Sequence, residues 1–358
     1  MKALVANRML PSRVLNLVFN KPSGPGGHVI EVSKPTITAD EILVKVKSVA
    51  LNPTDFKHLD IVSPPGSIIG CDYAGEVAEV GANASNAWKV GERVAGVVHG
   101  GLYPDRGAFA EYLKIDADAA WHIPDEVSDA DATTYGVSAI TAVLTLNLRL
   151  GLPWPDEVPS SQDASGEQIF IYGGSTSAGL FHIQLAKAAG YTVVTTASPH
   201  SQDLVKSYGA DAVFDYHSAS VVQDIIKEYP DISKAVDCYS EGQSTKISAE
   251  VVKGKGGKVM TLLPNSDPKV PGVTVEMVLA YTMMGRPFQW LPPVGPKYDA
   301  IPGDRQGLVR FYSHLPQLTK WLKPLPVTIS EDGFDGILAG LDKLRHKKVS
   351  GTKLVVKF

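Results

Sequence analysis

Apolar and polar positions alternate with a period of two along much of the first third of the chain. The run Glu41–Ala50 alternates from Ile42 onward, Ala74–Gly81 repeats the pattern, and Gly91–Val98 reads as a turn running into a strand. Short strands broken by Gly and Pro turns predict a compact, barrel-like β domain over residues 1–134. From Asp129 the period lengthens, and Ala139, Ile140, Val143, Leu144 and Leu146 form a helical stripe. Residues 151–166 are rich in Pro, Ser and acids, which predicts an exposed loop. Strands and helices then take turns. Gln168–Tyr172, Tyr191–Thr196, Ala212–Tyr216, Ser233–Tyr239 and Gly257–Leu263 read as short buried strands, with helices from Leu180 and over Val221–Tyr229. That alternation predicts a doubly wound parallel sheet. Residues 285–305 are rich in Pro and Gly and commit to no element. A helix is expected from about Gly307 to Leu322, and the tail Gly351–Phe358 reads as a strand returning to the first domain.

The centre of this pattern is the turn after Gln168–Tyr172. It reads Gly173-Gly174-Ser175-Thr176-Ser177-Ala178-Gly179 and opens a helix whose apolar positions are Leu180, Ile183 and Leu185, closed by Gly190. A strand–turn–helix–strand unit aims free N–H groups and the positive end of the helix dipole at the turn, a ready site for phosphate. The spacing departs from G-x-G-x-x-G. The flanking strand, helix and second strand nevertheless favour a dinucleotide. NAD sites place an acid at the end of the second strand to take the ribose 2′-hydroxyl. Here that place reads Ala197-Ser198-Pro199-His200-Ser201, with no acid before Asp203. Hydroxyls and a histidine suit a 2′-phosphate that a carboxylate would repel, so NADPH is expected. Ser198 also reads as an ordinary N-cap.

Composition narrows the classes. The 358 residues suffice for two domains, 44% are hydrophobic and 20% charged, and a net charge of −4 argues against nucleic acid. Two cysteines, Cys71 and Cys238, leave no disulfide framework and no cysteine-rich zinc loop. Cys71 reads as a small core residue. The chain starts directly on strand-like sequence, and no run approaches a membrane span, which gives the expectation of a cytoplasmic protein without membrane contact. The nine histidines show no metal-ligand spacing, and His28, His58 and His99 read as surface residues.

Ala50-Leu51-Asn52-Pro53-Thr54-Asp55-Phe56-Lys57, Gly70-Cys71-Asp72-Tyr73-Ala74-Gly75-Glu76-Val77, Val90-Gly91-Glu92-Arg93-Val94 and Gly107-Ala108-Phe109-Ala110-Glu111-Tyr112 follow one another in this order. The order resembles the medium-chain dehydrogenase/reductase superfamily near its quinone-oxidoreductase branch, over essentially the whole chain. More narrowly, Tyr172-Gly173-Gly174-Ser175-Thr176, Ser198-Pro199-His200 and Val213-Phe214-Asp215-Tyr216 are similar to the fungal trans-acting enoyl reductases. The resemblance implies an α/β fold. A GroES-like β-barrel catalytic domain (1–134 and 308–358) is interrupted by a Rossmann NADPH-binding domain (135–307), with the cofactor in the cleft between. Zinc members place a Cys where Asn52 stands and a His-Glu pair where Cys71-Asp72 stands. A lone Cys and Asp make no catalytic zinc site, so no metal is expected.

The resemblance also implies site residues. The cofactor would meet Thr54, Asp55, Phe56 and Lys57 near the nicotinamide ribose. Its phosphates would meet Ser175, Thr176, Ser177 and Ala178, and its adenosine side Ser198, Pro199, His200, Ser201 and Tyr216. Leu262, Leu263, Val349 and Ser350 complete that set. Substrate would pass Thr141, Ala142, Val143 and Leu144, then Leu279, Ala280, Tyr281, Thr282 and Met283. Lys57 and Thr141 are the catalytic candidates, against readings as a solvated charge and a helix-start residue. The activity implied is hydride transfer from NADPH to the β-carbon of an unsaturated thioester. The thioester would be carried by the acyl carrier domain of a polyketide synthase or synthase–peptide synthetase hybrid. A free-standing quinone or enone reductase and a non-catalytic cofactor-binding scaffold remain open alternatives. Pro287, Pro292 and Pro293 interrupt the stretch that relatives use to pair subunits, so a monomer is expected.

Overall fold

The computed structural model describes residues 1–19, 26–157, 166–264 and 267–358. Half of the predicted 151–166 loop, residues 158–165, therefore lies outside the described residues. The chain divides into two compact units: residues 1–137, 281–319 and 324–358, and residues 138–280 with 320–323.

The second unit is a six-stranded parallel sheet. Its spatial order is Ala212–Phe214, Thr192–Thr196, Gln168–Tyr172, Lys234–Asp237, Lys258–Thr261, Thr274–Met277. Numbered along the chain this is 3-2-1-4-5-6, the Rossmann order, with its reversal between Gln168–Tyr172 and Lys234–Asp237. The four inner strands are mostly buried, as expected of a parallel sheet covered on both faces, whereas the edge strands Ala212–Phe214 and Thr274–Met277 are only partly buried. Phe170, Val194, Ala235 and Val259 from four strands meet Ile225 and Ala249 from two helices in one buried cluster.

The first unit is built on the ten-residue strand Glu41–Ala50 in a seven-stranded sheet. This strand pairs antiparallel with Asp72–Val80, with Tyr112–Asp116 and with the C-terminal strand Lys353–Lys357. The tail thus returns to the first unit in register, Val355 opposite Ala50 and Val356 opposite Val49. An N-terminal hairpin, Lys2–Ala6 with Gly27–Glu31, joins through bridges Ala3–Ala110 and Val5–Ile68. Tyr73, Phe109, Trp121, Tyr135 and Tyr312 are the largest side chains of its core.

Two expectations about the elements change. The late helix runs Pro302–Leu318 rather than from Gly307: Pro302 occupies its first turn, where a missing N–H costs nothing. The Pro- and Gly-rich stretch forms a hairpin of two-residue strands, Phe288–Gln289 with Lys297–Tyr298. The compact-unit division also differs from the expected 135–307 boundary, because residues 281–307 group with the first unit. The reason is aromatic packing: Tyr281 stacks on His99 at 3.8 Å, and Phe288 and Trp290 meet His99 and His58 edge-on. No helix among the described residues is long and apolar enough to cross a membrane.

Candidate functional site

In the second unit the glycine-rich turn is shaped by backbone geometry. Strand Gln168–Tyr172 ends at Gly173, whose φ of +77° suits glycine. A side chain on Gly179 would place its Cβ 2.4 Å from the Gly173 carbonyl oxygen, so the helix start closes on the turn only because no Cβ is there. The Thr176 hydroxyl donates to the Gly173 carbonyl at 2.8 Å and accepts from the Gly179 N–H at 3.0 Å, capping the twelve-residue helix Ser177–Ala188. Ser175, Thr176, Ser177 and Ala178 sit here half-buried. This is a cradle of backbone N–H groups on a helix N-terminus, and it fits a phosphate.

The second strand ends at Thr196, and residues 197–201 beyond it carry no carboxylate. Ser198 and Ser201 are buried, while Pro199 and His200 are exposed. The Ser198 hydroxyl lies 3.3 Å from His200 Nε2. Ser198 precedes a short 3₁₀ turn, Pro199–Ser201, without making a side-chain cap bond. Tyr216 is 37% exposed, its ring against His217 and 6.1 Å from that of Tyr172.

Leu262 and Leu263 follow strand Lys258–Thr261 and are held from a neighbouring strand end. The Leu262 N–H donates to the Ser240 hydroxyl at 2.9 Å. Ser240, at φ +55°, is fixed in turn by its N–H to buried Asp237 at 2.7 Å. Asp237 also accepts the Ser244 and Thr245 hydroxyls at 2.7 Å each. Thr141 lies in helix Val137–Val143 and is nearly buried; Ala142, Val143 and Leu144 are completely buried. Cys238 and His182 approach to 3.6 Å but make no nucleophile pair. Burial and then Asp237 push the Cys238 thiol up, and burial pushes His182 down to about 4.

The first unit holds a different kind of site, a buried polar cluster. Strand Glu41–Ala50 leads into the short helix Pro53–Lys57, so Thr54–Lys57 sit in a helical turn. Asn52 caps that helix. Its N–H donates to Asp55 Oδ2 at 2.7 Å, and its side-chain amide donates to Asp72 Oδ2 at 2.8 Å. Lys353, from the last strand, donates its ammonium to Asn52 Oδ1 and lies 3.3 Å from Asp72 Oδ2. The Val137 N–H donates to Asp72 Oδ1 at 2.7 Å. Burial, then the neighbouring Asp72, pushes the Asp55 carboxyl up to about 7. Burial pushes Asp72 up against the pull of Lys353. Burial and the two carboxyls push the Cys71 thiol up, so it stays protonated.

Thr54 joins this cluster to Tyr281, whose hydroxyl also lies 3.6 Å from Cys71 Sγ. The Thr54 hydroxyl lies 2.7 Å from the Tyr281 hydroxyl and 3.2 Å from His58 Nδ1. Phe56 and Lys57 are half-buried beside it. Tyr281, Thr282 and Met283 are buried in this unit, whereas Leu279 and Ala280 are half-buried residues of the second. Val349 is half-buried and Ser350 exposed, just before strand Lys353–Lys357. His28 is exposed, but the reading of His58 and His99 as surface residues is corrected. Both are buried among Tyr281, Phe288 and Trp290, and burial pushes His58 down to about 4 and His99 well below its ordinary range. Sequence reasoning passes over Lys353 and the anchoring of Leu262 by Ser240 and Asp237. An apolar strand interrupted by an inward lysine is the one signal that could flag Lys353. Among the described residues, no group of three or more His, Cys, Asp or Glu side chains is placed to hold a metal ion.

Comparison with known proteins adds to this geometry. Residues 38–125 match the alcohol dehydrogenase GroES-like domain, and residues 178–277 match the zinc-binding dehydrogenase family. A trans-enoyl reductase of Alternaria alternata is 38% identical, over 92% of this chain and 95% of the relative. One from Aspergillus sclerotiorum is 35% identical, over 95% of this chain and 99% of the relative. Among solved structures, an alcohol dehydrogenase superfamily protein from Novosphingobium aromaticivorans is similar with a TM-score of 0.76 at 20% identity, covering 100% of this chain and 99% of that one.

Proposed function

Because this chain belongs to the trans-enoyl reductases of the medium-chain dehydrogenase/reductase superfamily, we propose that it reduces an α,β-unsaturated thioester with NADPH, acting in trans on a polyketide chain held by the acyl carrier domain of a synthase or synthase–peptide synthetase hybrid. The observation that carries this reading is the glycine cradle at Gly173–Gly179, followed by a second strand that ends in buried hydroxyls and no carboxylate. NADPH, when bound, supplies the hydride that adds to the β-carbon.

The residues of the chain do the rest. The Ser175–Ala178 backbone and the helix N-terminus hold the pyrophosphate. Ser198, Ser201 and His200 take the 2′-phosphate, and Tyr216 flanks the adenosine. The strand end at Leu262-Leu263, fixed through Ser240, orients the nicotinamide, helped by the Thr54–Lys57 turn and by Val349 and Ser350. Thr141–Leu144 and Leu279–Met283 offer apolar surface to the acyl chain. Hydride addition leaves an enolate at the thioester oxygen. Lys57 and the Thr141 hydroxyl donate hydrogen bonds to it, and Lys57 delivers the proton to the α-carbon. No metal takes part: the donors Asn52 and Asp72 are already engaged by the Lys353 ammonium.

The protein acts as a monomer, since the stretch through Pro287, Pro292 and Pro293 supports only two-residue strands; light scattering should give a single-chain mass at micromolar concentration. The direct test is NADPH consumption with a short enoyl thioester against a quinone. Turnover of the thioester with a silent quinone supports the reading, whereas the reverse makes the protein a quinone reductase.

A further inference from the structure

One matched family carries zinc in its description, and the first unit gathers Asn52, Asp55, Cys71 and Asp72 into one buried cluster. The donor set does not fit a metal ion. It offers an amide, a protonated thiol and two carboxyls, and a side-chain ammonium already lies among them. Lys353 is 2% exposed, Asp72 not at all. The ammonium contacts Asn52 Oδ1 and Asp72 Oδ2, and the Asn52 amide closes the triangle onto the same Asp72 oxygen at 2.8 Å. Asn52 is the cap of helix Pro53–Lys57, and its N–H is held by Asp55. Whatever fixes Asn52 therefore fixes the turn that carries Thr54 and Lys57.

We propose that Lys353 is a built-in cation at this cluster: it replaces a metal electrostatically, excludes one sterically, and acts as the positioning residue for the Thr54–Lys57 turn. The strand Lys353–Lys357 delivers the ammonium from the far end of the chain, and its register against Glu41–Ala50 sets where it arrives. A divalent ion would have to displace an ammonium that is almost completely buried against Asn52 and Asp72. A lysine also brings its charge with the fold and cannot be removed by a chelator.

The functional half of this inference rests on the proposed reductase reading; the structural half does not, and the test separates them. Three variants are made: Lys353→Met, Asp72→Asn and the double variant. Breaking one partner of a buried ion pair strands the other charge, whereas replacing both with neutral groups is tolerated. Lys353→Met should melt well below the wild type, and the double variant should recover most of that loss. If positioning is the role, the stable double variant should still show faster amide exchange over residues 54–58. Its turnover of an enoyl thioester should fall at least tenfold, with NADPH affinity within about twofold of the wild type. Purified wild type should hold no stoichiometric zinc, and added zinc should leave its melting temperature unchanged. Wild-type exchange and turnover in the double variant would overturn the inference by reducing Lys353 to charge balance, and stoichiometric zinc in the wild type would overturn it outright. A wild type silent on enoyl thioesters would count against the reductase reading alone, and the exchange and zinc arms would still decide the role of Lys353.

Discussion

The glycine turn of the second unit and the polar cluster of the first are built from opposite materials. At the turn the working groups are backbone N–H groups, shaped by two glycines and one threonine within seven residues of chain. At the cluster they are side chains brought together over long separations: Lys353 and Asn52 are 301 positions apart, Thr54 and Tyr281 227. The difference teaches that binding a cofactor common to many enzymes can be left to local geometry. On the proposed reading, the positioning of Lys57 then depends on how the first unit closes its sheet.

The contrast can be broken most forcefully at Lys57. If the first unit supplies side-chain chemistry, Lys57→Ala should lower turnover by about 10²–10⁴-fold, the range of a positioned general acid, with NADPH affinity unchanged. Near-wild-type turnover would make Lys57 a spectator, leaving the proton to water or to Thr141.

Acid sensitivity comes next: burial holds His99 of the first unit well below its ordinary range, and pushes His58 in the same unit and His182 in the second from 6.5 to about 4. The unfolded chain takes a proton on each near pH 6.5, whereas the folded chain refuses it on His58 and His182 until about pH 4. The stability these two histidines contribute is complete above pH 6.5 and is lost as pH falls toward 4, at roughly 3 kcal/mol each. Asp55, pushed up to about 7, runs the other way: the folded chain keeps a proton the unfolded chain has released, so stability falls as pH rises from about 4 to 7. Denaturant melts at pH 7.5 and 5 should therefore show a larger acid loss in Asp55→Asn than in the wild type, because the opposing contribution is gone. An equal loss in the two proteins would show that Asp55 is ionised in the fold.

Gly179→Ala probes the turn. Its Cβ would meet the Gly173 carbonyl at 2.4 Å, so the backbone must open, at a cost of about 1–3 kcal/mol. Calorimetry should show this loss in NADPH binding while enoyl turnover at saturating NADPH changes little. A comparable loss of saturated turnover would mean that the turn does more than bind. Ser198→Asp should be the smallest effect: like-charge repulsion should weaken NADPH about tenfold, or about 1.4 kcal/mol, and spare NADH. Equal weakening of both cofactors would move the 2′-phosphate away from Ser198.

The same contrast governs how much is legible in the sequence. The strand–helix alternation of the doubly wound sheet and the Gly173–Gly179 turn are legible because short apolar runs, a period of 3.6 and clustered glycines are local signals. Thr54–Lys57 can be singled out as a segment, yet its supports cannot. Lys353 reads as one cation in a polar-flanked tail, and only the pairing of Val355 with Ala50 brings it to Asn52. His58 and His99 mislead for the same reason. A lone histidine carries no period, and two of the rings that bury them, Phe288 and Trp290, arrive from a stretch whose Pro and Gly content conceals its hairpin.

The fate of the hydride decides whether this chain is a trans-acting enoyl reductase. The protein, NADPH deuterated at the transferred position of C4, and an enoyl thioester loaded on an isolated acyl carrier domain should yield a saturated chain with deuterium on the β-carbon and a solvent proton on the α-carbon. Cofactor oxidation without label in the acyl chain, or no reduction of the carrier-bound thioester while a free quinone is reduced, would contradict it.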